Sequence, residues 1–230
     1  MESVLLAEDL LLMVTDDASG HLSAPAAQVD AGLGGANLAE LTLMNKVGLS
    51  GEGEAGKAGR IVVRDPSPAG DEVLDAALEL LIAHQGSKPS AVIRPLSKNL
   101  RHRLYERLAA SGVVRAGQGK ILGIFSTHTW PAAQDAHHEA QVRLLLTQVL
   151  VQQRAPDARS AALIALVHAL RCEHQIVDPR PYGLSKRQLR ARAEEIAKSS
   201  WASEAVRKAI TEIIAAVAAT TAAATAAGGG

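Results

Sequence analysis

Asp71-Glu72-Val73-Leu74-Asp75-Ala76-Ala77-Leu78-Glu79-Leu80-Leu81 sets apolar side chains at 73, 74, 77, 78 and 81. That spacing returns to one side of a 3.6-residue turn, so the stretch predicts a helix with one face to bury. It is entered through Asp65-Pro66-Ser67-Pro68-Ala69-Gly70, which reads as a rigid connector. Upstream, Val47 to Arg64 reads as a β-hairpin around a glycine-rich loop, with Arg60-Ile61-Val62-Val63 as the return strand. Downstream, residues 98–111 read as a second helix, with Leu100, Leu104 and Leu108 as its stripe and Gly112 as its stop.

The same reading extends to both ends. Leu5 to Thr15 predicts a buried helix halted by the turn cluster Asp16-Asp17-Ala18-Ser19-Gly20. Gln28 to Lys46 predicts another, in which Gly32, Gly34 and Gly35 either weaken the helix or permit close packing. A second hairpin is expected from Val113 to Phe125, turning at Ala116-Gly117-Gln118-Gly119. Four further helices are expected near 135–153, 157–170, 185–199 and 203–219, the third opened by a Ser185/Gln188 capping box. Hydrophobic residues make up 47% of the chain and aromatics only 2%, so the core must be aliphatic. The expected fold is mainly α: a single compact helical domain over 1–214, one or two β-hairpins with one protruding, and a frayed Ala/Thr/Gly tail over 215–230.

Composition also bounds function. The one cysteine, Cys172, allows no internal disulfide, and Met1-Glu2-Ser3-Val4 has no signal-peptide character. No apolar run approaches the length of a membrane span, so any membrane contact must be peripheral, and a cytoplasmic protein is expected. Net charge is zero, yet residues 1–80 carry −10 and residues 81–230 carry +10. Such asymmetry points either to an anionic partner or to mutual attraction of the two parts.

The familiar chemical constellations are missing. His168 and Cys172 share a helix face with His174 nearby, but no further ligand pair completes a zinc set, so no metal and no cofactor is expected. There is no phosphate loop, GxSxG, HExxH or SxxK pattern, which argues against an enzyme. The strongest signal is basic: seven Lys/Arg against the single acid Glu106 between Arg94 and Lys120. Read as one helix, Lys98, Arg101, His102 and Tyr105 share a face, with Arg94 close behind. Ile121, Leu122, Ile124 and Phe125 follow on the hairpin. A cationic face beside an apolar hairpin is what peripheral docking on an anionic membrane needs. The competing readings are a solvated face over a core strand, a winged-helix-like nucleic-acid-binding protein, and a scaffold for peptide tails.

In their order, these motifs resemble the Golgi phosphoprotein 3 family. The resembling stretches are Leu5-Leu6-Ala7-Glu8-Asp9-Leu10-Leu11-Leu12, Leu38-Ala39-Glu40-Leu41, Pro68 to Leu78, Leu100 to Leu108 with Gly112-Val113-Val114, and Ala161 to Ala169. The resemblance implies a helical domain with a protruding hairpin and no known enzymatic activity. Eukaryotic members read phosphatidylinositol 4-phosphate on Golgi membranes and retain glycosyltransferases through their cytosolic tails. The implied partners are therefore an anionic phospholipid surface on the cytosolic face and cytosolic tails of membrane proteins, with a homo-oligomer allowed and no nucleic acid expected. The family's two headgroup-binding cations fall on Lys98 and Arg101, and its membrane-dipping hairpin on Val113 to Phe125. Its other two headgroup residues, a Trp and an Arg, fall on Pro25 and Gly34, which cannot do that work; recognition of anionic lipid in general is the expectation that remains.

Overall fold

The computed structural model describes residues 4–51, 57–121, 125–133, 137–199 and 202–227. Helix α1 (Leu6–Met13) and helix α2 (Ala26–Leu43) form the centre. Every residue of α1 is buried, as is every residue of α2 from Ala31 to Thr42. A helix buried on all sides has no polar face to display, which is why neither shows an amphipathic pattern. Strands β1 (Val47–Leu49) and β2 (Ile61–Val63) pair antiparallel as expected, Val47 opposite Val63. Helix α3 (Glu72–Ala83) buries Val73, Leu74, Ala77, Leu78 and Leu81, the stripe read from the sequence. Asp71 caps it, accepting from the N–H groups of Val73 and Leu74.

Helix α4 (Pro89–Ser97) is an element the sequence reading did not anticipate, because Pro89 and Pro95 disguise it. Pro89 is harmless at the first position, where its missing N–H has no partner to lose, and Pro95 falls near the end. Helix α5 (Leu100–Ala110) follows after a break: Asn99 takes the left-handed conformation, φ 57°. Strands β3 (Gly117–Ile121) and β4 (Phe125–Thr129) make the second hairpin. Its register corrects the expectation. Gly117 and Gly119 lie within β3 and not in a turn, and the return strand runs from Phe125 to Thr129. Ile121 and Phe125 are the last pair before the connection, whose Leu122 and Ile124 lie outside the described residues. Among the described residues no helix makes an extensive contact with this hairpin.

The remaining elements are α6 (His137–Leu150), α7 (Ala158–Ala169), the short α8 (Glu173–Ile176), a 3-10 turn at Arg180–Tyr182, α9 (Lys186–Lys198) and α10 (Glu204–Ala227). Ser185 and Gln188 form the capping box of α9. Helix α10 continues past the expected end at 214, is helical to Ala227 and buries Ala216, Val217 and Thr221. It packs on α2 and α4, while α7 covers another side of α2. The three glycines of α2 permit close packing. A Cβ on Gly34 would stand 2.5 Å from the Ile93 carbonyl oxygen of α4, and one on Gly35 2.3 Å from Val217 Cγ2 of α10.

The opposed charges of the two sequence parts meet in the interior. Arg107 holds buried Glu8 at 2.9 Å and also pairs with Asp71. Arg159 holds Asp9 at 2.8 Å and Glu40 at 2.6 Å, and His138 reaches Asp9 at 2.6 Å. Glu8 and Glu40 in turn accept the N–H groups of Leu5 and Leu6, so the start of α1 is capped by carboxylates that arginines neutralise. Mutual attraction thus accounts for much of the asymmetry. The suspected metal group is otherwise engaged: His168 pairs with Glu173 at 2.7 Å, and the Cys172 thiol donates to the Leu170 carbonyl.

Candidate functional site

A cavity of about 580 Å³ opens where the turn after α1, the first turns of α2, the α4/α5 junction and the end of β4 converge. Its polar lining includes His21, Asp30, Asn99, Arg101 and His102, and its aromatic lining is Tyr105 and Trp130. The kink at Asn99 decides which cations reach it. Arg101, in the first turn of α5, lines the cavity. Lys98 ends α4 in an extended conformation, and Arg94 sits a turn earlier; both are exposed and neither lines the cavity. Of the face read from the sequence, Arg101, His102 and Tyr105 lie together on α5 and line the cavity, whereas Lys98 falls before the break at Asn99.

Arg101 is not idle. Its Nε lies 3.1 Å from Asp30 Oδ1, with each side chain about one-third exposed. Burial pushes the Asp30 carboxyl above its usual range despite the guanidinium beside it. An anion entering the cavity competes with Asp30 for Arg101, a competition the sequence did not reveal. His102 stands edge-on to Trp130 at 6.2 Å and approaches Glu106 at 3.2 Å.

Tyr105 is structural. It is buried, and its hydroxyl shares a 2.7 Å hydrogen bond with Thr15 Oγ1. Trp130 stacks on it. The backbone N–H of Trp130 donates to the Gly20 carbonyl and that of Ala132 to the Asp17 carbonyl. Gly20 has φ +67°, and a Cβ there would stand 2.3 Å from Trp130 N. The turn after α1 thus clasps the exit of the hairpin, and Trp130 belongs at once to the hairpin and to the cavity wall.

Of the seven cations between Arg94 and Lys120, Arg107 is consumed in the interior and Arg101 is paired with Asp30. Among the described residues no carboxylate pairs with Arg94, Lys98, Arg103 or Arg115. Trp130 and Asp30 escaped the sequence reading. The only available signals were the rarity of tryptophan and an acid set in an apolar helix. At Gly34, contact with the α4 backbone leaves no room for an arginine.

No helix among the described residues is long and apolar enough to cross a membrane. No curated protein matches the chain closely enough to stand as a relative. The sequence profile of Golgi phosphoprotein 3 (GPP34) matches residues 6–213, which takes in α1, the cavity, both hairpins and the start of α10. On the breadth of that match, the chain belongs to the Golgi phosphoprotein 3 (GPP34) family.

Proposed function

We propose that this protein docks peripherally on the cytosolic face of an anionic membrane, with the Arg101 cavity receiving a lipid headgroup and the tip of the β3/β4 hairpin entering the interface. The observation that carries this reading is Trp130, which ends the hairpin and walls the cavity, so that headgroup site and hairpin form one assembly. Each strand of the hairpin has five residues, so its tip stands roughly 15 Å from its base. The residues nearest the tip, Ile121 and Phe125, are apolar, as are Leu122 and Ile124 in the connection.

The energetics favour combining the two contacts. Each exposed cation near an anionic leaflet adds about 1 kcal/mol. An apolar side chain leaving water adds roughly 1.5–3 kcal/mol. Neither alone holds a protein at a membrane, whereas several of each do. The family is not known as an enzyme family, and Asp30, the carboxylate in the cavity, is held by Arg101. We assign the cavity a binding role and no catalytic one.

Co-sedimentation tests this, comparing phosphatidylcholine vesicles with vesicles containing phosphatidylglycerol, phosphatidylinositol or phosphatidylinositol 4-phosphate, at low and high salt. Binding to anionic vesicles that weakens with salt and with Arg101→Ala is expected. Phe125→Ser should weaken it with thermal stability unchanged. Failure to bind any anionic vesicle sinks the proposal and sends the basic surface back to nucleic acid or peptide partners.

A further inference from the structure

A second group of cations gathers at the opposite end of α4. Two neighbouring cavities, of about 560 and 460 Å³, both include Lys57 and Arg60 in their lining, and the smaller adds Lys88 and Ser90. Lys57 and Lys88 are exposed and Arg60 is half-buried. Among the described residues none of the three has a carboxylate partner, and Glu212 is the one acid in the lining of either cavity.

Helix α4 joins this group to the Arg101 cavity. Its inward face is Pro89, Val92, Ile93 and Leu96, all buried. Its outward row is Ser90, Arg94 and Ser97, spaced four and three residues apart and so aligned on one face. Ser90 lines the smaller cavity at the start, Ser97 lines the Arg101 cavity at the end, and exposed Arg94 stands between them with Lys98 just beyond. The row from Ser90 to Ser97 rises about 11 Å along the helix, too far for a single phosphate to bridge.

We infer that this face of α4, from the Lys57/Arg60/Lys88 cluster to Lys98, is a charge-only docking strip that lies along an anionic membrane surface and contacts further headgroups beyond the one in the Arg101 cavity. The inference rests on the membrane reading above. What selects a membrane as occupant is sign and continuity: cations at both ends and the middle of one helix face, with Glu212 and Asp30 the acids among the described residues lining its two ends, running into the cavity that already borders the hairpin. A planar array of negative charge satisfies all of them together. The strip contributes orientation, since two separated contacts fix the molecule's tilt where one permits it to swivel.

The test uses the full chain on phosphatidylcholine vesicles carrying increasing phosphatidylglycerol. K57Q/R60Q/K88Q is compared with wild type and with Arg101→Ala. K57Q/K88Q, which alters only exposed positions, guards against a folding effect at Arg60. Removing a cation from an anionic surface lowers partitioning about fivefold. The triple variant should therefore bind about a hundredfold more weakly, with an unchanged melting temperature and a shallower dependence on salt. Wild-type binding by the triple variant, alongside loss in Arg101→Ala, would overturn the strip and leave the headgroup cavity standing. Absence of vesicle binding by the wild type would overturn both. A triple variant that loses inorganic polyphosphate but keeps vesicles would overturn the membrane as the strip's occupant.

Discussion

Trp130 lies flat on Tyr105, ring centroids 5.0 Å apart and planes 4° from parallel. Through this stack the exit of the hairpin is fastened to α5 and hence to Arg101, one turn earlier on the same helix. Trp130→Ala should cost about 3–5 kcal/mol in urea unfolding and should abolish vesicle binding even where the protein remains folded. Trp130→Phe should retain most of both. Full stability in the alanine variant would show that the stack does not secure the hairpin.

Asp30 competes with any anion for Arg101. Asp30→Asn keeps the shape of the side chain and removes its charge, so affinity for anionic vesicles should rise several-fold, most at low salt. A fall in affinity would mean that Asp30 positions Arg101 for the ligand.

An arginine substituted at Gly34 should not add a headgroup contact. Any Cβ there meets the Ile93 carbonyl at 2.5 Å, and that atom belongs to backbone that cannot turn aside. Gly34→Ala should lower the melting temperature by several degrees, and Gly34→Arg should lower it further without tightening vesicle binding.

Arg107 neutralises Glu8 in the interior, where burial raises the Glu8 carboxyl above its usual range. Arg107→Ala leaves that charge uncompensated and should cost about 3–5 kcal/mol. Adding Glu8→Gln should recover part of the loss, because the neutral amide needs no partner charge. Additivity of the two losses in a double-mutant cycle would deny the coupling.

Glu139, near the start of α6, has its carboxyl raised to about 7, chiefly by burial and further by a hydrogen bond with Asp17, against the pull of Arg143. A raised carboxyl binds its proton more tightly in the folded chain than in the unfolded one. Its contribution is therefore complete below pH 4.5 and disappears as pH rises toward 7. The stability of the wild type relative to Glu139→Gln should decline across that window. A flat difference would place Glu139 in contact with water.

What the sequence disclosed and what it hid follow from the same physics. The stripe of α3, the capping box of α9 and the β1/β2 pairing are local patterns, and they appear where the periodicity puts them. Helix α4 was hidden by its prolines, and the start of α5 was read at 98 in place of Leu100 because the left-handed Asn99 leaves no mark on a helical stripe. The register of the second hairpin was misread because Ile121 to Phe125 looks like a strand, while Ser126 to Thr129, which pairs with β3, looks like a turn. The charge asymmetry was visible, but its resolution through Arg107 and Arg159 needed partners some 100 to 150 residues away. Arg101 was legible as a candidate; Asp30 and Trp130 join it only when three distant segments meet.

The glycines of α2 carry a mechanical consequence. At Gly34 the backbone of α2 rests directly on the backbone of α4, and at Gly35 it meets the Val217 side chain of α10 with no side chain of its own between. Side chains are the shock absorbers of a protein interior: they take up small displacements by changing rotamer, and here that cushion is thin. A displacement of α4 therefore meets the backbone of α2 directly at Gly34. Contacts of this kind favour a fixed shape over one that yields.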